Sequence, residues 1–315
     1  MSAHEAMRAG EETGSMAMVG IAPQLAELLA LRAQAQGRRP PRRGAHGVQG
    51  HALSTLRGRG MEYAESREYS PGDDARHIDW RLTARSGKAH TKLFQAERER
   101  LTLLVVDTSP LLYFGTRVRF KSVQAARAGA LMAWLALRDG DRVAALRGSM
   151  QEAPVPPATG TRGVLHVLDA LVRWYAQPPP DDAGLTLALE HARRLLRPGS
   201  RVLVLADPAS VGGVAPTLWA ALGRFDASVL LLTDPLEEAP PRATLAFAPA
   251  QGAHLALALD AEGVRRRWQH AFAQPLAQAQ ALLQRAGVRA QVLSGADPSV
   301  AWLPLLDAPR PRGAR

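Results

Sequence analysis

Residues 58–115 read GRGMEYAESREYSPGDDARHIDWRLTARSGKAHTKLFQAERERLTLLVVDTSPLLYFG, and the run LTLLVVD at 101–107 decides the fold. Its apolar residues do not alternate with polar ones, so it is expected to be a strand covered on both faces, as in the middle of a parallel sheet. The run ends on Asp107. Two later runs repeat the arrangement: VLVLA at 202–206 ends on Asp207, and VLLL at 229–232 is followed closely by Asp234. Between the runs the period becomes helical. Val123, Ala126, Ala130, Leu131, Trp134 and Leu137 share one face of a helix over 121–138, which Gly140 closes. Further helices are expected at 163–175, 185–197, 216–223 and 261–286, the last disturbed at Pro275, with strands at 142–146 and 288–293 and a hairpin at 244–248 and 254–259. A strand at 90–94 is expected to join the 101–106 strand through a charged turn. Such alternation predicts an α/β fold, a doubly wound mostly parallel sheet with helices on both faces. Ligands of these sheets lie beyond the carboxyl ends of the strands, where Asp107, Asp207 and Asp234 fall.

Upstream of 101 the chain is dense in paired charges. Glu62, Glu65, Glu68, Asp73, Asp74 and Asp79 face Arg59, Arg67, Arg76, Arg81 and Arg85 in number. Ser70-Pro71-Gly72-Asp73 has the residues of a tight turn, and Asp74 is placed to cap a short helical turn behind it. Arginine forks pair well with carboxylates, and Trp80 offers a flat face for stacking. The block reads either as a surface salt-bridge network or as an interaction plate for a partner. A general acid–base site around His77 would need a nucleophile elbow or an oxyanion loop, and the block supplies neither.

The ends add less. Residues 1–20 are polar and are expected to be disordered, without the pattern of a signal peptide. Leu25, Leu28, Leu29 and Leu31 mark a short helix to about Ala35. From 31 to 60 there are seven arginines and no acid. That stretch reads as a polyanion-binding arm or as a solvated linker spacing the helix from the body. No aromatic side chains are interleaved to stack on bases. The net charge of +10 is weak evidence for nucleic acid, because all but three of the 39 basic residues are arginine in an Ala- and Pro-rich chain. There is no cysteine, hence no thiolate nucleophile and no Cys-ligated zinc. The longest apolar window, 128–137, is too short to span a bilayer, and the protein is expected to be cytoplasmic. The expected division is a start, helix and linker at 1–49, a charged region at 50–100 packing on the main domain, a main domain at 101–305 and a loose tail at 306–315.

These residues resemble a family. GRGMEYAESREYSPGDDARHIDWRLTAR, then TKLFQAERE, the strand, DTS and FG are similar to the bacterial family catalogued as domain of unknown function 58, and the likeness covers about residues 50–305. Its motif runs here through Arg67, Glu68, Tyr69, Pro71, Gly72, Asp73, Asp74, Arg76, Ile78, Asp79, Trp80 and Arg85. The helix from Lys121, Gly140-Asp141-Arg142-Val143 and Asp234-Pro235-Leu236-Glu237 also match. The resemblance implies a von Willebrand factor A-like domain and partnership with a MoxR-type AAA+ ATPase in assembly or maturation of a client complex. It implies a non-enzymatic adaptor of the branch without membrane helices. It also implies a metal-ion-dependent adhesion site, built from Asp-x-Ser-x-Ser, a loop Thr and a later Asp, with Mg²⁺ as the one cofactor in question. Asp107, Ser109 and Asp207 match that pattern. Leu111 stands at the second Ser, Ala183 stands where the Thr is expected, and Thr186 is out of register. Three protein oxygens remain of five, so the resemblance implies a degenerate site. The alternatives are a nucleic-acid-binding protein acting through the arginine arm at 38–43 and a Mg²⁺-dependent hydrolase using the carboxylates around Asp107.

Overall fold

The computed structural model describes residues 20–37, 61–96, 100–247 and 255–309. Leu28, Leu31 and Ala35, spaced by three and four residues, are all but fully buried. They lie on two short helices, α1 (Leu25–Ala30) and α2 (Arg32–Gln36), with Leu31 between them. Trp134 Nε1 donates to the Leu28 carbonyl at 3.0 Å, Arg127 pairs with Glu27, and Arg32 lies over the Trp134 ring at 5.4 Å. The expected helix therefore belongs to the core of the main unit and is not an appendage. Helices this short have little stability of their own, so only packing against residues a hundred positions later fixes them. The arginine arm at 38–43 lies outside the described residues.

The chain divides into one unit of Met1–Pro41 with Arg100–Arg315 and another of Arg42–Glu99. In the smaller unit β1 (Met61–Glu68) runs antiparallel to β2 (His90–Ala96), with Glu68 opposite His90 and a bulge between Tyr63 and Glu65. The helix α3 (Trp80–Ser86) joins them. The strand expected at 90–94 is present as β2, and it pairs with β1 and not with the 101–106 strand that follows it. The true partner, β1, carries charges along its length and so shows no strand pattern in the sequence.

In the larger unit the order is β3 (Leu101–Val106), α4 (Lys121–Asp139), β4 (Arg142–Arg147), β5 (Val155–Ala158), α5 (Gly160–Ala176), α6 (Gly184–Leu195), β6 (Arg201–Ala206), α7 (Pro208–Gly212), α8 (Pro216–Leu222), β7 (Asp226–Thr233), α9 (Pro235–Glu238), β8 (Thr244–Phe247), β9 (Leu255–Ala258), α10 (Glu262–Trp268), α11 (Gln274–Arg285) and β10 (Arg289–Ser294). A π turn at Gln269–Ala273 separates α10 from α11, at the Pro275 disturbance. The six-stranded sheet runs β10-β7-β6-β3-β4-β5, parallel except for β5. Pro156 and Pro157 hide β5 in the sequence, and as residues without an N–H they suit an edge strand. β3 is interior, and its side chains divide between the two faces. Leu104 and Val106 pack with α4, α5 and the N-terminal helices. Leu103 and Val105 pack with α6, α8 and α11. Gly140, at φ 72°, ends α4 in the left-handed conformation that glycine adopts without strain. Among the described residues no helix is long and apolar enough to cross a membrane.

Candidate functional site

Strands β7, β6 and β3 are neighbours, so Asp234, Asp207 and Asp107 emerge side by side at their carboxyl ends. The chain leaves β3 toward β4 on one side and reaches β6 on the other, which makes the β3–β6 boundary the topological switch point. Asp107 and Asp207 flank that crevice. Asp107 Oδ1 accepts the Ser109 N–H at 2.9 Å and Oδ2 accepts the Asp207 N–H at 3.0 Å. Burial pushes the Asp107 carboxyl up to about 6, against hydrogen bonds from Ser210, Ser109 and Asp207 that favour its charge. Ser109 is half-buried, and its hydroxyl accepts from Ser210 at 3.4 Å.

A residue that the sequence reading treated only as a helix start lies at the centre. Lys121 is 2% exposed. Its Nζ donates to Asp207 Oδ2 at 2.7 Å and to Glu237 Oε1 at 2.6 Å. Burial draws its pKa down, but the charges of Asp207 and Glu237 overcome this and hold it above the ordinary lysine value. Burial pushes the Glu237 carboxyl up against the pull of the ammonium. Glu237 Oε2 accepts the Asp234 N–H at 3.0 Å, and Asp234 Oδ1 accepts the Leu236 N–H at 2.9 Å, forming the capping box of α9. Thr116 in the loop before α4 donates both its N–H, at 2.8 Å, and its hydroxyl, at 2.5 Å, to Asp234. One signal for Lys121 was legible. A cation in the first turn of a helix opposes the macrodipole by about 0.3–1 kcal/mol, which hints at compensating carboxylates nearby.

The loop expected to bring a threonine comes to this end with an acid instead. Thr108 Oγ1 donates to Asp182 Oδ1 at 2.7 Å, and the Ala183 N–H donates to the Gly148 carbonyl at 2.7 Å. A Cβ on Gly148 would lie 2.0 Å from the Gly184 carbonyl oxygen, so only glycine allows this approach. Leu111 is exposed and offers no ligand.

The donor set fits Mg²⁺ poorly. Magnesium takes near-octahedral oxygen ligation at about 2.0–2.1 Å and keeps several waters. Here Asp107 is 1% exposed, with both oxygens already accepting backbone amides. Asp207 carries the Ala209 N–H on Oδ1 and the lysine on Oδ2. A divalent ion about 4 Å from that ammonium would meet a repulsion on the order of 8 kcal/mol at an effective dielectric of about 20. Among the described residues no three acidic or histidine side chains are grouped as a metal site.

In the smaller unit the motif acids turn onto their own backbone. Asp73 binds Arg67 at 2.7 Å and the Ser70 N–H at 2.9 Å. Asp74 accepts the Arg76 N–H at 3.0 Å, as the sequence implied for a cap. Asp79 caps α3 through the Leu82 N–H at 3.1 Å and accepts from the Ser66 hydroxyl at 3.2 Å. Glu68 pairs with Lys88 at 2.8 Å on the surface. The Tyr69 N–H donates to the Ala89 carbonyl, and Ile78 bridges to Thr91, fixing the turn against β2. Pro71 and Gly72 are exposed, with Gly72 at φ 108°. Arg76, Arg81 and Arg85 are exposed and have no carboxylate partner among the described residues. Trp80 is 70% exposed. The unit is thus a self-braced turn and helix that presents guanidinium groups and an indole.

An interior parallel sheet with buried carboxylates and a lysine at its strand ends, together with a braced, arginine-rich hairpin unit, defines a two-unit α/β protein. The chain belongs to the family described as "Protein of unknown function DUF58", whose model matches residues 65–278 and so takes in β2, α3 and the end of β1, together with Lys121 and Glu237. It is similar to an uncharacterized protein of Mycobacterium bovis and to uncharacterized proteins of two Mycobacterium tuberculosis strains, each 34% identical over 161 residues. Each match covers 51% of this chain and 51% of the relative, so the chain spans about half the length of the curated relatives it matches.

Proposed function

We propose that this protein is a non-enzymatic adaptor with a von Willebrand factor A-like domain, which engages a MoxR-type AAA+ ATPase during assembly or maturation of a client complex. The observation that carries the reading is the exposure of Trp80 together with that of Arg76, Arg81 and Arg85, while the acids near them in sequence are committed to the local backbone. Tryptophan and arginine dominate the energetics of protein interfaces, and both are expensive to hold ordered on a surface that binds nothing. A braced scaffold lowers the ordering cost of association. The strand-end face supports the same reading. Its carboxylates and lysine satisfy one another, which suits a rigid surface better than a reacting one.

The test is direct binding of purified MoxR-type ATPase from the native host to the full chain, by biolayer interferometry, with wild type beside Trp80→Ala and Arg81→Glu. Both positions are exposed, so folding should be unchanged while affinity falls at least tenfold. No binding by wild type, or equal binding by all three, removes the proposal.

A further inference from the structure

We propose that the Lys121 ammonium is the built-in cation of the strand-end cluster, so that this face is organised, and offered to partners, without a divalent metal. Four acids meet there, and each of their eight carboxylate oxygens accepts a donor from the chain itself. Asp107 takes the amides of Ser109 and Asp207. Asp207 takes the Ala209 amide and Lys121. Glu237 takes Lys121 and the Asp234 amide. Asp234 takes Thr116 and the Leu236 amide. A metal site needs carboxylate oxygens turned toward a shared empty position, with water or a partner's oxygen completing the shell. Here the shared position of Asp207 and Glu237 is filled by a charge tethered to α4, with Lys121 2% exposed. One ammonium thereby links three separate elements: the first turn of α4, the end of β6 and the capping box of α9.

The functional consequence concerns what a partner can use. With no ion in the crevice, a partner's carboxylate has nothing to ligate, and affinity for this face is independent of Mg²⁺. The cluster is also permanent, because its cation cannot be chelated or exchanged, so the face is not gated by metal concentration.

Wild type and Lys121→Ala are to be titrated with Mg²⁺ and Mn²⁺ by calorimetry and followed by thermal denaturation, with Lys121→Ala/Asp207→Asn as control. Wild type should show no saturable uptake and no shift of its midpoint at millimolar metal. Lys121→Ala should melt at least roughly 10–15 °C lower. Millimolar Mn²⁺ should then restore part of the loss, because the freed carboxylates now accept an ion, and the restoration should vanish in the double variant. Saturable uptake by wild type that Asp207→Asn abolishes overturns the proposal. A folded Lys121→Ala whose midpoint ignores both metals overturns it equally. Should Lys121→Ala not fold, the wild-type titration decides alone.

Discussion

Replacing Lys121 by Met keeps an unbranched stem in the same buried channel and deletes the charge. Asp207 Oδ2 and Glu237 Oε1 then lose their donor. Breaking a buried ion pair by removing one partner costs about 3–5 kcal/mol, because the remaining charge is uncompensated. The upper part of that range applies, since two carboxylates are left at once and both side chains are less than a tenth exposed. At about 2–4 °C per kcal/mol for a unit of this size, the midpoint should fall by roughly 10–15 °C. Glu237→Gln alone should cost about 2 kcal/mol. Glutamine has one acceptor oxygen where Glu237 uses two, for Lys121 and for the Asp234 amide. In the Lys121→Met background the same change removes a stranded charge. The double variant should therefore exceed the sum of the singles in stability by at least about 2 kcal/mol. Urea denaturation of the four proteins at neutral pH measures this coupling, with m values expected to be equal. Because the Lys121 pKa is raised, its contribution is complete below the unfolded lysine value and fades only as pH climbs through the folded one. The coupling should thus be unchanged between neutral and mildly alkaline pH. Additive costs, or a Lys121→Met loss under about 1 kcal/mol, would refute the claim that the ammonium balances these acids.

Three further outcomes follow from the same geometry. Asp107 rises from 3.8 to about 6 on folding, so its stabilising proton is present below the lower value and lost as pH climbs through the upper one. That penalty reaches on the order of 3 kcal/mol. Asp107→Asn loses one backbone acceptor at every pH, so it should start below wild type, and the difference should shift in its favour by about this amount between about pH 4 and pH 7 in urea titrations. Leu28→Ala should cost about 2–5 kcal/mol in the same assay, since Leu28 is fully buried, whereas a loosely tethered helix would show almost none. Gly148→Ala places a Cβ against the Gly184 carbonyl and should lower stability by about 1–3 kcal/mol, with loss of amide exchange protection at Ala183, whose N–H donates to Gly148.

Much of the architecture was legible because parallel strands buried on both faces leave continuous apolar runs, and β3, β6 and β7 each do so. Their order in the sheet was not spelled out, yet the acids at their ends were, and adjacency brings those acids together. What failed to show had physical causes. β1 carries charges at Glu62, Glu65, Arg67 and Glu68 on no regular period, β5 is half proline, and the N-terminal helices draw stability only from residues far along the chain. The site was legible at Asp107, Ser109 and Asp207, which do meet around the crevice. Asp182 and Glu237 were hidden because their roles depend on loops whose paths no local pattern encodes.

Lys121 is the instructive case, since its position follows from the connectivity. The helix after β3 must begin at the carboxyl end of the sheet, the end where the strand-terminal acids collect. Its first residue is therefore within reach of β6 and α9, although 86 and 116 positions separate it from Asp207 and Glu237. A lysine there is unfavourable to the helix in isolation, because it faces the positive end of the peptide dipole. The same lysine is favourable to the sheet, because its ammonium donates to two buried carboxylates, Asp207 and Glu237, that would otherwise face one another without a cation. The local conflict is resolved only by the tertiary arrangement. A residue that breaks a local rule in an otherwise regular helix thus marks the place where the fold, and not the helix, determined the choice.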